Sequence, residues 1–196
     1  MADEKSIIEV RTGWTFSKAI ESIDNGDYQV IQLRDVQEIT LAGLDWANIT
    51  RTNIESSRKV KTLQENEVLL VAKGRTKKAL FLKNLPENVV VNQHFLILSV
   101  KDTSKLLPEY LEVYLNSSPV QNWFTMGSAG SYQSTLSKKR LLELKLPIEF
   151  PIEQQKMLVD LNESINKEKY LQQMLVKQRG QELEKFSNAV WSSLNE

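Results

Sequence analysis

The chain has 196 residues, long enough for one core with an appendage and too short for two full-size domains. Basic and acidic residues balance at 25 each, and hydrophobic content of 41% with 26% charged residues describes a folded protein rather than a disordered one. There is no cysteine and one histidine, His94, which excludes a disulfide scaffold, a cysteine-based zinc site and a cysteine nucleophile. A His-rich metal site and a Ser-His-Asp triad are equally disfavoured, since each would centre on His94. The start, MADEKSIIEV, has neither the basic nor the apolar stretch of a signal peptide, and no apolar run approaches a membrane span. The expectation is a cytoplasmic protein without a membrane partner.

The first hundred residues read mainly as strands. Residues 7–11 form a short apolar segment ending at Thr12-Gly13. Residues 28–33 follow the turn signal Asp24-Asn25-Gly26-Asp27. Residues 68–72 have the composition of a buried strand, Gly74-Arg75 suits a tight hairpin turn, and residues 79–82 are the return strand. Residues 95–100 make another strand. The stretch 36–63 has mixed signals and reads as loop.

Helices begin after residue 105. Pro108 suits a first helical position, with Tyr110, Leu111, Val113, Tyr114 and Leu115 on an apolar face. Ser118-Pro119 is a second start, for a helix running through Trp123 and Phe124 to Gly127. A small polar loop follows to Ser134. Leu142, Leu144 and Leu146 then alternate with charged residues, which predicts a strand with one buried face.

From residue 153 to 194 there is no proline and one glycine, in a sequence rich in Leu, Gln, Glu and Lys. Apolar residues recur at helical spacing: Leu158, Leu161, Ile165, Leu171, Leu175, Leu183, Phe186 and Val190. Such a helix is roughly 60 Å long, more than a domain of this size needs. Glu168 and Gln172 interrupt its heptads. The spacing predicts a helix that packs on another helix, in cis or in trans, with a helix folded back on its own domain as the alternative.

Net charge hides local structure. Residues 1–147 hold 19 basic and 17 acidic side chains, and 148–196 hold 6 and 8. Within them lie two acid-free basic stretches. One carries Lys73, Arg75, Lys77, Lys78 and Lys83; the other carries Lys138, Lys139 and Arg140. Solvated faces explain such runs as well as phosphate contacts do. Candidate nucleic-acid contacts are Lys73, Arg75, Lys77 and Lys78 in one loop, Ser128, Ser131, Tyr132 and Gln133 in another, and Arg11, Thr12 and Trp14 near the start. Simple burial is the other reading of Trp14.

Catalytic motifs are missing. The 127–131 loop lacks the Gly-Lys-Ser/Thr ending of a phosphate-binding P-loop and follows a helix rather than a strand. No Asn/Asp-Pro-Pro-aromatic signature of base-methylating enzymes occurs. Glu143-Leu144-Lys145 has the Glu-x-Lys pair of a metal-dependent nuclease, but no acid lies between Glu112 and Glu143. His94 reads as an ordinary polar residue before a strand. No cofactor and no metal is expected, and a binding protein is favoured over an enzyme.

The linear order of these pieces resembles the DNA-specificity (S) subunit of type I restriction–modification enzymes. The strongest match is Leu146-Pro147-Ile148-Glu149-Phe150-Pro151-Ile152-Glu153-Gln154-Gln155-Lys156-Met157, an apolar segment, a proline-bearing junction and an acid-Gln pair opening a long helix. That family usually sets its prolines as a pair nearer the Glu-Gln; here Pro147 and Pro151 are apart. Val10-Arg11-Thr12-Gly13, Val30-Ile31-Gln32-Leu33-Arg34-Asp35-Val36, Glu67-Val68-Leu69-Leu70-Val71-Ala72-Lys73-Gly74 and Pro108-Glu109-Tyr110-Leu111 are similar to family segments in the same order.

The resemblance implies an α+β protein. Residues 1–150 would form a DNA target-recognition domain of mixed strands and helices. Residues 151–196 would form a long helix for dimerisation and subunit docking. It implies a non-catalytic subunit that binds double-stranded DNA and delivers a methyltransferase subunit, and beyond it a restriction subunit, to the target. A full-length family member has two recognition domains and two helices; one of each looks like a half-size form, paired as a homodimer. The reading from another class is a coiled-coil scaffold whose globular head binds protein.

Overall fold

The computed structural model describes residues 7–37, 43–74, 76–126 and 135–194. Strand β1 spans Ile8–Thr12, β2 Tyr28–Ile31, β3 Arg51–Thr52, β4 Glu67–Val71, β5 Ala79–Phe81, β6 Val89–Val91 and β7 Phe95–Val100. Helix α1 spans Leu33–Gln37, α2 Pro108–Asn116, α3 Ser118–Met126, α4 Lys138–Leu141 and α5 Ile152–Leu194. The chain divides into two units, residues 1–159 and 160–196. This is the α+β class expected from the sequence, with its long C-terminal helix.

In the first unit an antiparallel sheet has the order β1-β7-β4-β5, and a smaller sheet the order β3-β2-β6. The smaller sheet joins β2 to β3 antiparallel and β2 to β6 parallel. The four-stranded sheet is buried on both faces, which is why β4 and β7 are almost uninterruptedly apolar. Alternate side chains go to opposite layers. Val68, Leu70, Leu96 and Leu98 join Leu106, Leu111, Leu115, Phe124 and Leu141 from the helical side. Leu69, Val71, Phe95 and Ile97 join Ile31, Val89 and Val91 of the small sheet. The central sheet therefore separates two cores.

Two sequence expectations change. Residues 142–146 are not a strand. Ser137 caps a helical turn by accepting from the backbone N–H of Arg140 at 3.1 Å, and i→i+3 and i→i+4 bonds carry it through Leu144. Leu142 and Leu144 reach the core from this turn, so their alternation mimics a strand face. The 72–78 connection is also no two-residue hairpin turn. β4 and β5 do pair antiparallel, but seven residues join them, closed by Val71 N–H to Lys78 O at 3.0 Å.

Helix α5 starts after Pro151 and is tied down by one side chain. Gln155 is completely buried; its Oε1 accepts from Leu107 N–H at 2.9 Å, and its Nε2 donates to Lys105 O and Phe150 O, each at 2.8 Å. The bond to Leu107 satisfies a backbone donor at the N-terminus of α2 that no local side chain caps. Beyond residue 159 the helix is continuous to Leu194 and exposed. Leu161, Ile165, Leu171, Leu175, Leu183, Phe186 and Val190 are 40–68% exposed, and Leu158, in the first unit, is 38% exposed. No described helix is long and apolar enough to cross a membrane.

Candidate nucleic-acid interface

The turn between β6 and β7, Asn92-Gln93-His94, holds two of the predicted contact segments. Gly13 N–H donates to Phe95 O at 3.1 Å and Trp14 N–H to Val91 O at 2.6 Å, forming an isolated parallel bridge between Trp14 and Asn92. Only glycine fits before Trp14, because a Cβ on Gly13 would lie 2.0 Å from Asn92 O. On the other side, the N–H groups of Ala72 and Lys73 both donate to His94 O, at 2.8 and 3.0 Å. The turn thus sets Trp14 and the start of the basic connection beside one another. Sequence reasoning passed over this role; the available signal was a polar tripeptide wedged between apolar residues 89–91 and 95–98.

The predicted residues have unequal parts. Trp14 is half-buried and Thr12 is exposed at the end of β1. Arg11 is engaged internally: its Nη2 lies 2.7 Å and its Nε 3.2 Å from the Glu67 carboxylate, and Nη2 also donates to Thr62 O at 3.1 Å. Glu67 is buried and accepts further from Ser99 Oγ at 2.6 Å and Gln64 N–H at 2.9 Å. A guanidinium matched to a carboxylate this way is fixed in place and largely neutralised.

In the 73–78 connection, Lys73 and Lys78 are exposed, whereas Lys77 turns inward. Lys77 Nζ donates to Ala72 O and Gly74 O, each at 2.9 Å, and so braces the connection from within. Burial lowers the pKa of Lys77; Lys78, exposed but with part of its side chain covered, is lowered by the same cause against the opposing charge of Glu112. Arg75 and the loop bearing Ser128, Ser131, Tyr132 and Gln133 lie outside the described residues. That loop re-enters the fold beside the basic connection: Leu136 is buried and its N–H donates to Ala72 O at 3.0 Å. Arg140 stacks 3.7 Å from the ring centre of Trp123 and pairs with Glu143 at 2.8 Å. Among the described residues no group of His, Cys, Asp and Glu is placed to hold a metal.

The 92–94 turn and its flanks thus bind the Gly13-Trp14 backbone on one side and that of Ala72-Lys73 on the other, with Leu136 joined to Ala72. The region offers cations and polar backbone rather than an acid-base pair.

A family model, the type I restriction modification DNA specificity domain, matches residues 4–175. No curated protein matches the chain. Among solved structures, the S subunit of the type I restriction–modification system from M. genitalium aligns at 16% identity and a TM-score of 0.46, over 71% of this chain and 31% of that one. The chain spans about a third of the length of that solved relative.

Proposed function

The chain belongs to the type I restriction–modification DNA specificity family, and from that premise we propose that it reads a duplex DNA sequence for enzyme subunits that act there. The observation that carries this reading is the extent of the match, which takes in both sheets, helices α1–α4 and the first half of α5. On this reading residues 1–150 are the target-recognition domain, with no catalysis of its own, and residues 151–196 the helix for dimerisation and subunit docking. A methyltransferase subunit, and through it a restriction subunit, is brought to the site, and the place of action is the cytoplasm.

Residues Thr12, Trp14, Lys73 and Lys78, with Arg75 and the 128–133 loop, are its proposed DNA-facing set. Arg11 and Lys77 support that set from inside. The apolar stripe of α5 is the proposed protein-binding surface. Its exposed leucines, Phe186 and Val190 favour pairing with the same helix of a second copy.

The test is selection of bound duplexes from a random library, with and without the methyltransferase subunit, followed by methyl transfer on the selected sequence. An enriched sequence that is methylated only when both proteins are present supports the reading. Binding without sequence preference in the presence of the methyltransferase subunit overturns it.

A further inference from the structure

Edge strand β1, which carries Thr12 of the DNA-facing set, also borders a cleft of about 450 Å³ lined mostly by charged and polar residues. Its floor is the Arg11–Glu67–Ser99 network, and Lys59, Lys61 and Lys101 stand around it. The floor is preorganised, since the Glu67 carboxylate is buried and receives hydrogen bonds from Arg11, Ser99 and Gln64. The lysine-bearing segment has no regular secondary structure, yet the two residues that follow Lys61 are tied down. Arg11 Nη2 donates to Thr62 O at 3.1 Å, and Leu63 N–H donates to Val89 O at 2.7 Å.

Charge accounting separates the cations. Arg11 is spent on Glu67, and Lys101 pairs with Glu9 at 2.7 Å. Lys59 and Lys61 are exposed and have no ion pair among the described residues. The Lys101 hydrogen bond and charge, with Lys61 and Lys138 adding to them, hold the Glu9 carboxyl below its ordinary range. The acids at the cleft are therefore already matched, and the excess is positive. Among the described residues no aromatic side chain lines the cleft, so they offer no platform on which a base could stack.

We propose that this cleft seats a backbone phosphate of the bound duplex, held by Lys59 and Lys61 with Lys101 at its edge. The proposal rests on the DNA-binding reading above and adds to it a contact that no sequence motif marked. Lysines are suited to this as point charges, and a phosphate contact positions the protein without specifying bases.

The experiment compares wild-type protein with K59A/K61A and with the charge reversal K59E/K61E, measuring duplex affinity against salt on target and non-target DNA. All are checked by thermal melting, which should not change because both side chains are exposed. The expected result is a salt slope smaller by about 0.9 to 1.8 for the alanine pair, a larger affinity loss for the reversal, and an equal fold-change on both DNAs. Wild-type binding with an unchanged slope in both variants overturns the phosphate seat alone. A wild type that binds no duplex at low salt overturns the DNA-binding reading and the seat with it. Inorganic phosphate that raises the melting temperature of wild type but not of K59A/K61A, with duplex binding equal in the two, assigns the cleft to a free anion and also overturns the proposal.

Discussion

Glu112, on α2, is a carboxyl that burial pushes up to about 7, against a hydrogen bond from Phe81 N–H and the charges of Lys78 and Lys83. Its folded pKa exceeds its unfolded value, so the folded state holds a proton that the unfolded state has already lost between about pH 4.5 and 7. Stability linked to this group is full below pH 4.5 and falls as pH rises through 7. Glu112→Gln, which keeps an acceptor for Phe81, should raise the melting temperature at pH 8 and leave it nearly unchanged at pH 4. An equal gain at both pH values would show that ionisation is not the cause. The Arg11–Glu67 pair has the opposite character. Removing Arg11 strands a buried carboxylate, so Arg11→Ala should cost about 3 kcal/mol in urea unfolding. If Arg11 instead served mainly at the DNA, the variant would unfold like wild type and lose affinity.

At the scale of elements, Gln155 joins the start of α5 to the loop before α2 and to the 147–151 junction. Gln155→Ala leaves one N–H and two carbonyls without that partner and should destabilise the first unit by roughly 2–4 kcal/mol. Gln155→Glu, which accepts from Leu107 but turns a carboxylate on two carbonyl oxygens, should do no better at pH 8. Thermal melting decides both. The strands buried on two faces were legible, β7 to the residue, because a continuous apolar run has few other uses. β6 was not: it has three residues, follows Asn88 in a left-handed conformation (φ 57°), and its partner β2 lies some sixty residues upstream. The turn at 138–144 was hidden by leucine alternation. The interface was only half legible. A basic run announces charge, but nothing in its spelling says that Lys77 points inward while Lys73 and Lys78 point out. Lys59 and Lys61 stand two apart, but Lys101 and the Arg11–Glu67–Ser99 floor come from separate segments, so no window of sequence shows the cleft.

At the scale of the whole molecule, the exposed stripe of α5 and the family's DNA role lead to one expectation about symmetry. Two copies joined by antiparallel α5 helices about a two-fold axis carry identical recognition domains, and these must read identical inverted half-sites separated by untouched DNA. Replacing Leu161, Ile165 and Leu175 with Lys should convert dimers to monomers in light scattering and reduce binding to single half-sites. A monomeric wild type at micromolar concentration, or an asymmetric methylated sequence in cells carrying only this specificity protein, would sink the idea. Incubation of the protein alone with duplex, magnesium and a methyl donor should give neither cleavage nor methyl transfer. Turnover lost on Glu143→Gln would contradict the non-catalytic reading.

The pairing of β1 with β7 also has a consequence in time. Ile8 faces Val100 and Thr12 faces Leu96, so β1 closes this sheet only against β7, the last of the described strands. During synthesis at roughly 5–20 residues per second, β1 waits about 5 to 20 seconds for its partner to be made. The helices that cover that face are made later still. Contacts this distant in sequence are slow to form, because loop closure comes before any reward from pairing. The newborn chain therefore passes through an interval in which Ile7, Ile8 and Val10 are bare. In that interval a holdase chaperone, or the β1 of a neighbouring nascent chain, competes for the edge that β7 will occupy.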